Sequence, residues 1–378
     1  MAVLSEEQTM LRDAAKSWVS EKSPVTAFRK LRDSGNADGF DRAAWAQMAE
    51  MGWAGILIPE EFGGSGMGYH TLGLVLEETG RTLTASPLVS TALAATAALL
   101  LAGSDAQKKA WLPKIAQGAA IATLAVDEGA HHAPTKIALR AVKSGTGWKL
   151  SGKKNFVLDG GVADLLVVAA RTSGKDGDAN GITLFLVEGN AKGLSRQKLK
   201  SVDSRAVANL SFADVEVNAE AVLGKADQGY GVLEATLDRA RAGLAAEMLG
   251  SATQAFETTL EYLKTRTQFG QLIGTFQALQ HRAAKMYTDL EFTRSCVEAA
   301  LAAIDGNSNE VAQLASLAKA KANELAHLVS NEMVQMHGGI GMTDAHDAGL
   351  YMKRARAAEA TFGSAAYHRD RYATLLEY

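Results

Sequence analysis

The stretch YGVLEATLDRARAGLAAEMLGSATQAFETTLEYLKTR, residues 230–266, decides the fold. It reads as one long helix, entered past Gly224 and Gly229. A second helix follows in FQALQHRAAKMYTDLEFTRSCVEAALAAI (276–304) and is ended by DGNSN. A third is EVAQLASLAKAKANELAHLVSNEMVQM (310–336), ended by HGG, and DAGLYMKRARAAEATFG (347–363) begins a fourth. Four long helices joined by short loops specify a four-helix bundle over residues 223–378.

Working outward, residues 120–222 change character. DLLVVAAR, GITLFLVEG and NLSFADVEV are short β-rich runs bounded by Gly, Asp and Asn. In the last, Leu210, Phe212, Val215 and Val217 alternate, with an irregularity near Ala213. The expectation is a small antiparallel sheet or barrel. Residues 1–119 read as helices again: SEEQTMLRDAAKSWVSE with Ser5 and Glu7 or Gln8 as start signals, then RAAWAQMAEMG, HTLGLVLEETGR, PLVSTALAATAALLLAG and AQKKAWLPKIAQG. Pro59 and the GGSG of 63–66 interrupt them. The predicted class is mainly α with a central β domain.

Bulk properties narrow the function. A net charge of −3 without a dense Lys/Arg block gives no reason to expect a nucleic-acid partner. A single cysteine, Cys296, cannot form an internal disulfide, and no Cys cluster exists to hold metal. The longest apolar run, about 12 residues, is too short to span a bilayer. The opening MAVLSEEQ lacks a signal pattern. A cytoplasmic protein without a metal site is expected.

Three stretches carry chemistry. In KTRTQFGQLIGTFQALQHR (264–282), Arg266, Gln268 and Phe269 precede Gly270, and Phe276 and Gln277 open the next helix. Arginine suits phosphate, and a phenylalanine offers a stacking face. In QMHGGIGMT (335–343), Gly338, Gly339 and Gly341 let backbone approach a ligand closely. It follows no strand, so it is not a Rossmann fingerprint. Third, Glu247 lies among Ala245, Ala246, Met248 and Leu249, where a carboxylate costs free energy unless paired, hydrated or neutralised.

Taken with the order helices, sheet, helices, these motifs resemble the acyl-CoA dehydrogenase family along essentially the whole chain. MGWAGILIPEEFGGSGMG, LGLVLEETGR and GSDAQKKAWLPKIAQG look like that family's first domain. WKLSGKKNFVLDGGVADLLVVAAR resembles the segment whose aromatic residue lies against the flavin, which puts Phe156 in that place. The resemblance implies FAD at a subunit interface. Arg266 would pair with its pyrophosphate, with Gln268 and Phe269 beside the ADP part. Gln335, Gly338 and Gly339 would come from a neighbouring subunit, and Phe276, Gln277 and Ser364 belong to the same implied cofactor set. It further implies a homotetramer or dimer, or a hetero-oligomer, with electron-transfer flavoprotein as acceptor. The implied reaction is α,β-dehydrogenation of an acyl-CoA thioester, a base taking the α-proton while the β-hydride passes to the flavin.

The sequence departs from that pattern where the base should be. Many members carry a Glu directly before a Gly near the C-terminus; in AEATFGSAAYHR that position is Phe362. Others carry it seven residues before Glu247, where this chain has Ala240. Glu247 is then the remaining candidate base. It shares a face with Ala240, Gly243, Leu244 and Ser251, whose small members should leave room beside the carboxylate. Arg241 matches a family arginine near the active site. The loss of acid at Phe362 leaves its backbone N–H, which in the family hydrogen-bonds the thioester oxygen. In VDEGAHHAPTKIAL, Glu128 matches, but a Pro and a Ser do not, and His131 and His132 are read as a solvent-facing loop. Two other readings stand beside the dehydrogenase: a non-catalytic, FAD-binding subunit of a hetero-oligomer, and a flavin monooxygenase on the same scaffold.

Overall fold

Ser5 starts the first helix as its sequence predicts. Its hydroxyl accepts from the Gln8 N–H while the Gln8 side chain accepts from the Ser5 N–H, a closed capping box. The computed structural model describes residues 4–378. The helices in chain order are α1 (Glu6–Lys22), α2 (Val25–Ser34), α3 (Arg42–Glu50), α4 (Gly68–Arg81), α5 (Thr96–Ala102) and α6 (Asp105–Ala116). After the strands come α7 (Gly229–Thr265), α8 (Gln277–Asp305), α9 (Val311–His337), α10 (Ala348–Ala360) and α11 (Ala365–Leu375). None is long and apolar enough to cross a membrane among the described residues. Two compact units divide the chain: Met1–Lys30, Gly73–Thr84 and Arg241–Tyr378 form one, Leu31–Leu72 and Ala85–Ala240 the other.

In the first unit, α9 packs against α8, α10 and α11. The fourth bundle helix read from sequence is in fact two. Phe362 and Gly363 take left-handed φ of 58° and 117°, which an α-helix cannot contain, and Ser364 then caps α11 by accepting from the Tyr367 N–H. A second constraint is a close helix crossing. A Cβ on Gly250 of α7 would lie 1.8 Å from the Glu77 carbonyl oxygen of α4, and one on Gly80 would lie 2.1 Å from that of Glu247. Ser251 donates to the Gly80 carbonyl across the same contact, at 2.9 Å. Only glycines permit this approach.

The second unit is built on a sheet of strands β1 (Ala122–Ala125), β2 (Arg140–Ser144), β3 (Gly147–Leu158), β4 (Leu165–Arg171), β5 (Ile182–Glu188), β6 (Leu194–Leu199), β7 (Val207–Val217) and β8 (Val222–Leu223). Their order is β6-β7-β3-β2-β4-β5-β8, with β1 on β4. The expected sheet was antiparallel throughout, but β1 and β2 both meet β4 in parallel. Every residue of β4 is buried, which explains why LLVVAAR is a continuous apolar run rather than an alternation. The irregularity near Ala213 is a bulge: Asp214 takes φ 52°, and the β3 partner register slips between Leu150 and Gly152. PLVSTALAATAALLLAG is not one α-helix. Leu88–Ala95 is π-helical before α5 begins, and this stretch packs on β1, where the Thr91 hydroxyl bonds both the N–H and the carbonyl of Ala122.

The crossing predicts that Gly250→Ala lowers the unfolding free energy by roughly 3 kcal/mol or more. Gly231→Ala, where a Cβ meets nothing within 4 Å, should be neutral or stabilising. Urea titrations of both variants check this; equal midpoints would refute it.

Candidate active site

The turn between α10 and α11 is the most constrained loop of the first unit. Gly363 can be nothing else, because a Cβ there would sit 2.6 Å from both His368 Nε2 and Tyr367 Cδ1. Phe362 is a bulky residue in the left-handed region, a conformation costing on the order of 1–3 kcal/mol that persists only where its surroundings impose it. Three helices impose it. Arg241 of α7 donates through Nε to the Phe362 carbonyl at 3.3 Å and through Nη2 to the Tyr367 hydroxyl at 3.1 Å. His368 Nε2 lies 3.0 Å from the same carbonyl. Lys319 of α9 donates to the carbonyls of Ala358 and Gly363 at 3.0 and 3.2 Å and to Asn323 Oδ1 at 2.6 Å, while Asn323 Nδ2 donates to Gly363 at 3.2 Å. Arg241, Lys319 and His368 are fully buried. Cations here oppose the negative end of α10. Among the described residues the Phe362 N–H donates to no protein acceptor.

Burial pulls the Lys319 ammonium down to about 7, with Glu359 opposing the fall and Arg241 adding to it. Sequence reasoning missed Lys319, Asn323 and His368. A signal existed: Lys319 shares a helix face with Ala315 and Ala322, both buried, where a lysine is out of place without a local acceptor set.

Glu247 has a charged partner that its neighbours in sequence do not show. Its carboxylate pairs with Arg354 of α10, Nη1 to Oε1 at 3.6 Å, with side chains only 7% and 3% exposed respectively. The Arg354 guanidinium also lies over the Phe28 ring, 5.5 Å from its centroid. The space beside Glu247, lined by Ser251, Ser330, Tyr351, Arg354 and small alanines, is about 10 Å³, room for one water at most. On this side of α7, residues of α9 and α10 close the space. A buried carboxylate in apolar surroundings is here a charge partner.

The hairpin after α7 consists of β9 (Thr267–Gln268) and β10 (Gln271–Leu272). Its two-residue turn is primed, with Phe269 at φ 53° and Gly270 at φ 79°. That turn thrusts the Phe269 ring into solvent, 88% exposed, edge-on to Phe276 at 6.1 Å. Arg266, Gln268 and Gln277 are exposed beside it. At the end of α9, Gln335, Gly338 and Gly339 are exposed, and a Cβ on either glycine would meet only open space.

The comparisons with known proteins agree along the chain. Residues 5–119, 121–215 and 227–376 match the N-terminal, middle and C-terminal domain models of acyl-CoA dehydrogenase. Isovaleryl-CoA dehydrogenase of Pongo abelii is 33% identical over 97% of this chain and 88% of its own length. The chain belongs to the acyl-CoA dehydrogenase family. Butyryl-CoA dehydrogenase from Megasphaera elsdenii superposes at a TM-score of 0.91 with 25% identity, covering 100% of both chains. A chain of the ChsE4–ChsE5 complex from Mycobacterium tuberculosis does so at 0.90 with 27% identity, over 100% of this chain and 99% of that one. The protein is thus an FAD-dependent oxidoreductase of acyl-CoA thioesters, with the family's helical, β and helical domains. Its residues fit the cofactor: Arg266 has no carboxylate partner among the described residues, Phe269 offers a bare ring, and the glycines leave backbone approachable.

In the second unit Phe156 is displayed by a bulge. The β3–β7 register shifts between Lys154 and Val157, Phe156 takes φ 53°, and its N–H is held by Asn209 Oδ1 at 3.1 Å, leaving the ring 56% exposed. Glu128 accepts from the N–H groups of Ala138 and Leu139 and from the buried Lys154 ammonium. His132 does not face solvent as expected. Its Nδ1 lies 2.9 Å from the Asp127 carboxylate, and this pairing holds Asp127 below its usual range against the opposing effect of burial. His131 is exposed.

Two measurements follow. Glu247→Gln and Arg354→Met should each destabilise by about 3 kcal/mol, because each strands a buried partner, and the double variant should lose less than the sum. Additive losses in a denaturant double-mutant cycle would dismiss the pair. Lys319 has a folded value below its unfolded one, so between about pH 7 and 10.5 the unfolded chain binds the extra proton. Stability relative to Lys319→Met should therefore rise with pH in that window, by up to about 1.4 kcal/mol per unit, and stay flat below it. A slope of opposite sign in pH-dependent melts would contradict it.

Proposed function

We propose that this chain binds FAD with the α7–α8 hairpin and the glycine turn after α9, and receives the thioester carbonyl of an acyl-CoA at the α10–α11 turn. The observation that carries this reading is the Phe362 N–H, fixed in place without a protein acceptor. Such a preset donor suits an oxygen on which negative charge develops as the α-proton leaves. Arg241 supports the turn through its carbonyl. FAD, when bound, supplies the two-electron acceptor. Arg266 pairs with its pyrophosphate, Gln268 and Phe269 flank the ADP part, and Phe276, Gln277 and Ser364 complete that set. Gln335, Gly338 and Gly339 serve the FAD of a neighbouring copy, so the working form is a dimer or tetramer. Phe156 is the aromatic residue for the flavin ring. The protein works in the cytoplasm and passes its electrons to an electron-transfer flavoprotein.

The α-proton base is assigned elsewhere than Glu247, whose carboxylate is engaged with Arg354. Ala240 and Phe362 leave both positions used by relatives without an acid. That observation favours a second reading, a hetero-oligomer whose other chain supplies the carboxylate; one solved relative is described as a complex of two chains, ChsE4 and ChsE5.

An acyl-CoA panel added anaerobically to the yellow protein tests the reading. Bleaching of the flavin by some thioester is expected, from the protein alone or after mixing with its partner chain. FAD retained with no bleaching in either state would point to a monooxygenase. Glu247→Gln should bleach at the wild-type rate once folded, and a rate loss of a thousandfold would restore it as base. Arg266→Gln and Phe269→Gly should lose FAD on gel filtration.

A further inference from the structure

The α10–α11 turn is held by more side chains than its shape requires, and they come from three helices. Thr361 N–H is taken by the carbonyls of Ala357 and Ala358. The Phe362 carbonyl is taken by Arg241 and His368. The Gly363 carbonyl is taken by Lys319 and Asn323 together. The peptide planes on both sides of the Phe362 N–H are therefore pinned, and the plane that carries this N–H has no freedom left between them. Lys319 is the hub. All three ammonium donors are used: two join the last turn of α10 to Gly363, and the third locks Asn323 onto the same carbonyl. Arg241 can hold Phe362 without Lys319; besides Lys319, the end of α10 is tied to the residue after Phe362 by a long Gly363 N–H bond to the Ala360 carbonyl, at 3.5 Å.

We infer that Lys319, acting with Asn323, is a positioning residue for thioester binding, holding the Gly363 carbonyl so that the Phe362 N–H is presented ready-made to the substrate carbonyl. The inference rests on the function proposed above. A buried lysine is a costly way to hold a turn for stability alone, since a packed apolar side chain would do so without desolvating a charge. What the ammonium adds is orientation of two carbonyls at once. Misplacement of such a donor by an ångström is enough to cost about a hundredfold in rate. The charged and titratable groups around Lys319 are Glu359 on α10, Arg241 on α7 and, on the same turn, His368 of α11.

The test uses the FAD-loaded protein, in its assembled state, with the best thioester of the panel and with free CoA, which has no thioester carbonyl. Lys319→Met should weaken thioester binding, read by flavin spectral titration, between about 10- and 100-fold. Free CoA should bind within twofold of wild type. Turnover should fall more than KM rises, and Lys319→Met should lose the wild-type decline in thioester affinity as pH is raised through 7. Asn323→Leu, which keeps the lysine, provides the same comparison if Lys319→Met does not fold, and should weaken thioester binding by a smaller factor. Equal losses for thioester and CoA, or unchanged thioester affinity in a folded variant, overturn the inference. A wild-type protein that binds free CoA but no thioester refutes the proposed function as well.

Discussion

Much of the first unit depends on how closely α4 and α7 approach. With Gly250 against the Glu77 carbonyl and Gly80 against that of Glu247, the two backbones touch, and no side chain can intervene. This contact fixes both the rotation and the height of α7. Once those are set, the helix has no choice about where its polar residues go. Arg241, about a turn and a half before Glu247, reaches the α10–α11 turn, and Glu247 points to Arg354. A helix spaced by larger residues would be free to roll, and a roll of one residue would take Arg241 off the Phe362 carbonyl.

The electrostatics of this unit follow from that placement. Arg241, Lys319, Arg354 and His368 are all buried in it, and Arg354 faces the Glu247 carboxylate. Arg241 and Lys319 also donate to backbone carbonyls at and just after the end of α10, where the helix dipole already favours cations. Lys319 both pins the turn through its hydrogen bonds and, through its burial, has its pKa lowered, so rigidity and titration come from one group.

Element order and class were legible because they rest on long, uninterrupted runs. α7, α8 and α9 fall within a residue or two of the stretches read as helices, and the capping box at Ser5 was visible as a short motif. The break in the last helix was harder to see. ATFGS holds only one glycine, and the left-handed conformation of Phe362 is imposed by Arg241, His368 and Lys319, which lie far away in sequence. The partner of Glu247 was hidden for the same reason: Arg354 is more than a hundred residues distant, so sequence could raise the question of a carboxylate in apolar company but not show what lies against it. The π-helical turn at Leu88–Ala95 has no local signal at all, since its residues are equally content in an α-helix.

The hairpin turn at Phe269 has a further consequence, for the life of the chain before it is assembled. With Phe269, Met342 and Ile340 at 88%, 83% and 47% exposure, a newly made copy shows water several large apolar side chains. Such surfaces invite self-association, and the remedy on the proposed reading is for FAD and neighbouring copies to arrive first. Supply of flavin would then govern how much protein survives synthesis, since a ligand that binds only the native form also draws the folding equilibrium toward it. Cofactor starvation would show first as lost protein, and only afterwards as lost activity.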